Sequence, residues 1–483
     1  MAVGSFVWWT RPVSAELFDL RAISDLRTLR ERYAGINPVV FDEVLGHAYD
    51  LGGRSVVAEY RYLDADYRNE HSQFYSTTFR RYPSVAHRLH FFTEQLSSEV
   101  LDAREPSSFP NDSYLGYSVI RPVSAGSVGR TMLLPGDDLA KYVSCKARDT
   151  TNLFGTELTV TAAPFMTQES QLGVCVHVTA WVCAYYHHKG LGAPRYLPGD
   201  IAAGAPSKLG RMVPAIAMSV EQLSAMLESI ELPPVVYDLR DLQQGESLFM
   251  IACRYLNSGL PVVVAGGRHA FVLVGYRRIA QPEGQHARIE FIRQDDQHGP
   301  YQIVENPFLD DWRPWQYLVI PLPRKVYVSG ERAETVGRER LKQALRDSAT
   351  DEAADLLDRI DKDEVVFRSA VVRSNQFKAR LASRHAPQDV VAAYQWGQMS
   401  RWVWVVEAID HDAWDAGEPS VCAEVLIDAT DHSGDPRPIA WRLPDRVIIS
   451  DPDNDTASPR LVAAAPKLKT VCQVDAALCN AAT

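Results

Sequence analysis

The sequence predicts an α+β fold, with helices first and an antiparallel sheet after, and three observations carry that prediction. Residues 174–190, 218–230 and 246–259 read in turn as helices. Four apolar stretches of strand character follow, at 260–266, 269–276, 287–293 and 315–323. The two kinds of element are therefore segregated along the chain rather than alternating, which is the pattern of an α+β domain.

Each element has a local reason. Segment 174–190 has an apolar majority and is closed by Lys189 and Gly190. Segment 218–230 opens with a capping box, Ser219 as cap and Gln222 three residues later. Segment 246–259 ends in Gly259. His269 begins a strongly apolar strand just after Gly266 and Gly267, which let the backbone turn tightly. Ahead of this region, 54–63 alternates like a strand, and 114–123 and 156–163 read as strands. Residues 85–101 show helical spacing, with Leu89, Phe92, Leu96 and Leu101 near one face. Behind it come a charged helix at 331–347 and strands at 401–410 and 421–430. The expected organisation is a mixed α/β region at 1–165, a core domain at 166–325, an α+β region at 326–451 and a mobile tail at 452–483.

Composition bounds the function. Apolar residues make up 46% of the 483, enough to bury a large core. A net charge of -11 with no Lys/Arg block excludes retention on nucleic acid through non-specific phosphate contacts. Nothing approaches about 18 uninterrupted apolar residues, so no membrane span is expected. The amino terminus lacks the basic stretch and apolar run of a signal peptide. The seven cysteines (145, 175, 183, 253, 422, 472 and 479) are odd in number and irregularly spaced. A reduced, cytoplasmic setting is the simpler expectation, with one thiol kept for its reactivity. No cofactor is expected, since no Gly-Lys-Ser/Thr follows Gly266–Gly267. No metal is expected either: Cys183 with His187 and Cys175 with His177 lie on different helix faces, and the chain has no Cys-x-x-Cys.

One set of residues carries chemistry. Thiol catalysis needs a thiolate, a base and an oxyanion donor. Cys175 follows a polar loop and opens a helix, where free N–H groups and the dipole favour the thiolate. Val178, Trp181, Val182 and Tyr185 behind it can anchor that helix in a core. His269, at the lip of an internal strand, is the expected base. Asp295 ends the next strand and is the favoured orienting carboxylate, with Asp296 as the alternative. Gln168 is favoured as oxyanion donor, with Gln171 as the alternative.

The order of these residues, in 168–181, 266–276 and 294–301, resembles papain-like cysteine peptidases. It is most similar to the bacterial group that includes the double-glycine leader peptidases. His-Ala, an apolar strand and Val-Gly-Tyr match that family's histidine motif. The glutamine of the family lies six residues before the cysteine, whereas Gln168 lies seven before Cys175, and Val176 stands where the family has a small residue. The resemblance covers about 130 residues and implies a papain-like core, with the helix carrying the cysteine and the sheet carrying His and Asp. It also implies hydrolysis of a peptide or amide bond in a peptide or protein substrate. Cys175, His269 and Asp295 would form the triad, with Gln168 at the oxyanion. Two alternatives share the same residues: an inactive papain-like interaction module, and a transglutaminase-like acyl transferase.

Overall fold

The computed structural model describes residues 15–33, 38–101, 109–123, 127–168, 175–204, 219–240, 248–266, 269–279, 288–305, 315–381, 383–411, 414, 420–450, 457–461, 468–469 and 478–479. At 175, 248, 457–461, 469 and 478–479 it describes the backbone alone. The fold is mixed α+β with several antiparallel sheets. The chain forms two compact units: residues 1–232, 265–272 and 293–302 make the first, and the remainder makes the second.

The first unit is built on a five-stranded sheet in the order β1 (Ala15–Asp19), β2 (Ser55–Tyr62), β3 (Ala86–Phe92), β4 (Tyr114–Ile120), β5 (Val128–Leu133). Every neighbouring pair is antiparallel. Helices α1 (Ile23–Arg32) and α2 (Pro38–Asp50) accompany it. Helix α2 buries Val40, Phe41, Val44, Leu45 and Ala48, the spacing of a single apolar stripe. These pack with Phe18, Val56, Ala58, Leu89, Phe91 and Phe165 in one core. At 25 cal/mol per Å², each large side chain so buried contributes about 1.5–3 kcal/mol, an upper figure. Gly116 in β4 has φ +123°, and a Cβ there would stand 1.9 Å from the Met132 carbonyl, so only glycine lets β5 approach.

The helix expected at 85–101 is corrected by this sheet. Residues 86–92 form its central strand, all seven buried, and Ser98–Leu101 is a short 3-10 turn. A strand covered on both faces loses the period-two alternation that identifies strands. Its polar residues bond neighbours the sequence does not reveal. Arg88 bonds Glu59 at 2.8 Å and the Asn152 carbonyl at 2.6 Å, and His90 Nδ1 lies 2.9 Å from the Tyr114 hydroxyl.

Helix α3 (Ala65–Gln73) follows β2, and the hairpin β6 (Ala147–Leu153) and β7 (Thr156–Ala162) precedes α4 (Cys175–Leu191), α5 (Pro198–Ala203) and α6 (Val220–Ser229). The capping box of α6 forms as read: Ser219 N–H donates to Gln222 Oε1 at 3.0 Å and Gln222 N–H to Ser219 Oγ at 3.4 Å. A second sheet follows the path β12 (Gly299–Val304), β11 (Arg288–Asp295), β10 (His269–Ile279), β9 (Val262–Gly266), β13 (Trp315–Pro321), β8 (Pro234–Asp238), with α7 (Leu248–Asn257) between β8 and β9 in the chain.

The second unit continues with α8 (Gly330–Arg346), α9 (Asp351–Asp361), α10 (Ser374–Arg380) and α11 (Gln388–Trp396). Its sheet runs β14 (Val365–Arg373), β15 (Trp402–Asp410), β16 (Ser420–Asp428), β17 (Pro438–Arg442), β18 (Arg446–Ser450), β19 (Ala457–Leu461). Val372, Phe377, Val390, Tyr394, Val403, Val405 and Leu426 form its core. Inside that sheet Arg384 bonds both Glu407 (3.0 Å) and Glu424 (2.6 Å), so the buried carboxylates are paired.

Candidate active site

The site begins with helix α4. Its apolar side chains Val178, Trp181, Val182 and Tyr185 are all buried, the anchoring expected of them. Polar ties fix it further. Trp181 Nε1 donates to Asp66 Oδ1 at 3.2 Å, and Lys189 Nζ pairs with Asp149 Oδ1 at 2.6 Å. Trp181 and Tyr185 stack with ring centroids 5.1 Å apart. Position 175 is the first residue of this helix, as the sequence indicates. The Cys175 side chain and all of Gln171 lie outside the described residues.

The base and its carboxylates come from β10 and β11. His269 is the first residue of β10, and Asp295 is the last of β11. His269 Nε2 lies 3.0 Å from Asp295 Oδ1, with the ring 4% exposed and Asp295 fully buried. The two residues stand 26 apart in sequence and meet because neighbouring strands bring their ends together. Asp296 also reaches the ring: its Oδ1 lies 3.8 Å from His269 Nδ1. The carboxyl of Asp296 accepts the backbone N–H of Gln168, which joins the segment before Cys175 to the same cluster. His269, Asp295, Asp296, Gln168 and the start of α4 belong to the first unit.

The turn that holds the carboxylates is strongly braced. Tyr301 sits in β12 with φ +55°, a conformation that costs a bulky residue of order 1–3 kcal/mol. Its hydroxyl donates to the Leu133 carbonyl (2.8 Å) and accepts the Ala163 N–H (2.9 Å). Gln294 accepts the Tyr301 N–H at 3.0 Å and donates to the Ala163 carbonyl at 3.2 Å. Ala163 is thus gripped on both backbone groups, five residues before Gln168.

Electrostatics separate the two carboxylates. Burial works to raise Asp295, but hydrogen bonds from His269 and His298 and the charges of His269 and Arg293 outweigh it and hold it well below the usual carboxylate range. Burial and the adjacent Asp295 charge push Asp296 up to about 6, against the pull of His269 and two backbone N–H groups. Three participants carry no sequence signal. Gln297 Nε2 lies 3.2 Å from His269 Nδ1, and its backbone N–H donates to Asp295 Oδ1 at 3.0 Å. Arg293 and His298 lie 3.3 and 3.1 Å from Asp295 Oδ2. All three flank Asp295 within three residues, a proximity the sequence displays without its meaning.

Asp295 facing Nε2 places a ring proton on that nitrogen, while the Gln297 amide faces Nδ1. Nδ1 faces Gln297 and, at 3.8 Å, Asp296. Among the described residues, His269, Asp295 and Asp296 also form a group that could hold a metal ion, their ligating atoms lying within 4.8 Å of one another. The guanidinium of Arg293 already supplies positive charge at Asp295, so a cation there would be repelled. Burial pushes Cys145 and Cys253 up to about 12 and raises Cys183 as well, so these three are poorly suited to act as thiolates. No helix among the described residues is long and apolar enough to cross a membrane. Compared with known proteins, the chain matches no protein-family model, no curated protein and no solved structure.

Proposed function

We propose that the chain is a papain-like thiol hydrolase that cleaves a peptide or amide bond in a peptide or protein substrate. The observation that carries this reading is the 3.0 Å contact between His269 Nε2 and the buried Asp295, the orienting pair that a general base requires. The tie from Asp296 to Gln168, seven residues before Cys175, supports convergence of the helix start on the ring. In this reading His269 Nδ1 takes the Cys175 thiol proton and the sulfur attacks the scissile carbonyl carbon. The C–N bond breaks as His269 returns the proton to the leaving amine. Water then attacks the thioester, giving its proton to His269, and the C–S bond breaks to release the acid and the thiol. Gln168 stabilises the oxyanion in this scheme, with Gln171 as its alternative.

The test is alkylation of the native full-length chain with iodoacetamide, followed by mapping of the modified cysteine and assay of Cys175→Ala on a peptide library. Cys175 is expected to react first, and the alanine variant to fold and lose all cleavage. An inert Cys175 in a folded chain overturns the reading and leaves an interaction module. Incorporation of a labelled amine in place of water marks an acyl transferase. Activity abolished by a chelator and restored by Zn²⁺ or Mn²⁺ would transfer His269, Asp295 and Asp296 to a metal.

A further inference from the structure

Two consecutive side chains at the end of β11 face Nδ1 of His269, and they favour opposite states of the ring. Gln297 Nε2 lies 3.2 Å from that nitrogen and Asp296 Oδ1 lies 3.8 Å from it. An amide nitrogen can only donate, so it bonds the lone pair of an unprotonated Nδ1 and loses that bond when a proton arrives. A carboxylate can only accept, so it stabilises the ring with Nδ1 protonated. All three residues lie in the first unit.

Their surroundings differ as well. Gln297 is exposed, and its backbone N–H donates to Asp295 Oδ1 at 3.0 Å, so the turn stays fixed when the side chain moves. That side chain can exchange Nδ1 for water at small net cost. Asp296 is buried, its side chain 3% exposed, and its Oδ1 has no hydrogen-bond partner among the described residues. A buried oxygen in that state gains most from a proton brought close to it. Arg293 and His298 face Asp295 Oδ2 instead, and the basic group facing Asp296 is the His269 ring. The Asp296 carboxyl also accepts the Gln168 N–H, which places it between the ring and the segment leading to Cys175.

Resting on the hydrolase reading, we infer that Asp296 and Gln297 act on Cys175 through Nδ1 in opposite senses: Asp296 promotes transfer of the thiol proton to the ring, and Gln297 restrains it. In that transfer the S–H bond breaks, its electron pair stays on sulfur, and the proton bonds Nδ1 in place of the Gln297 amide. The Asp296 carboxylate then stands beside the new N–H.

The experiment measures the rate at which iodoacetamide alkylates Cys175 at neutral pH in the full-length protein, in Gln297→Ala and in Asp296→Asn, with the modified residue mapped. Removing the amide should raise the rate about fivefold, the worth of one hydrogen bond. Neutralising the carboxylate should lower it at least about tenfold. A merely structural role would slow both variants, so the opposition of sign is the deciding readout. Equal rates, or changes of the same sign, overturn the inference and leave the hydrolase reading standing. If Cys175 is inert in all three proteins, the hydrolase reading falls, and nitrogen NMR spectra of the His269 imidazole in Cys175→Ala decide the inference. Adding Gln297→Ala should enlarge the fraction of rings protonated at Nδ1, and adding Asp296→Asn should diminish it at the same pH. Opposite shifts uphold the opposed control of Nδ1, and unchanged spectra or shifts in one direction overturn it.

Discussion

Asp295 and Asp296 stand side by side in the chain, both touch the His269 ring, and their protons behave oppositely: one is held well below the usual carboxylate range and the other is pushed up to about 6. Pairs of groups driven apart in this way mark sites of proton transfer.

The split has a consequence for stability. Asp296 keeps its proton to about 6 in the folded chain, against 3.8 unfolded. Between those values the native state holds a proton that the unfolded chain has released, so stability falls as pH rises through the window. Asp296→Asn should remove that slope and raise neutral-pH stability by up to about 3 kcal/mol. Urea titrations at pH 4, 5, 6 and 7 check it, and parallel curves for the two proteins would refute it. Asp295 contributes in the other direction, its stabilisation being present above 3.8 and lost as pH falls below.

Replacing Asp295 strands the Arg293 guanidinium, and removes the partner of the His298 ring, beside a vacated buried position. Asp295→Ala should cost about 3–5 kcal/mol, with Asp295→Asn costing less. If the chain is a hydrolase, the asparagine variant should also lose on the order of 10³–10⁴-fold in kcat, because the ring loses its tautomer control. Denaturant melts read with a peptide-cleavage assay separate the two effects.

Tyr301→Phe removes one hydroxyl that serves two backbone groups, the Ala163 N–H and the Leu133 carbonyl. The expected cost is about 2–4 kcal/mol. Amide exchange should accelerate at Ala163 and through 294–301 more than in the second unit, and a uniform change across the chain would count against a local role.

Asp66 is the polar anchor of helix α4, accepting from Trp181 Nε1 and pairing with Arg130 and Arg195. Asp66→Ala should destabilise the first unit by about 3–5 kcal/mol, and a charge-free Asp66→Asn by less. Thermal unfolding followed by tryptophan fluorescence is the measurement, with a smaller loss for alanine than for asparagine as the refuting result.

Much of this site is legible from local chemistry. The Ser219–Gln222 box, the helix start at Cys175 and the strand opened by His269 all follow from signals within a few residues. The approach of Asp295 to His269 follows from the order of the strands. What stays illegible depends on partners far along the chain. The strand at 86–92 is hidden because cover on both faces erases its alternation, and Gln294 and Tyr301 gain their role through Ala163, more than 130 residues away. Gln297 is within two residues of Asp295, yet nothing local says that its amide turns toward a histidine nitrogen.

The first unit recovers residues 265–272 and 293–302 only after the chain has left it at Leu232. A ribosome adding about 5–20 residues per second needs several seconds to supply that return segment. Until it arrives, the nascent helix α4 has neither imidazole nor carboxylates beside it. The cluster is therefore incomplete until residues 293–302 have been made, and it can assemble while the rest of the second unit is still being added.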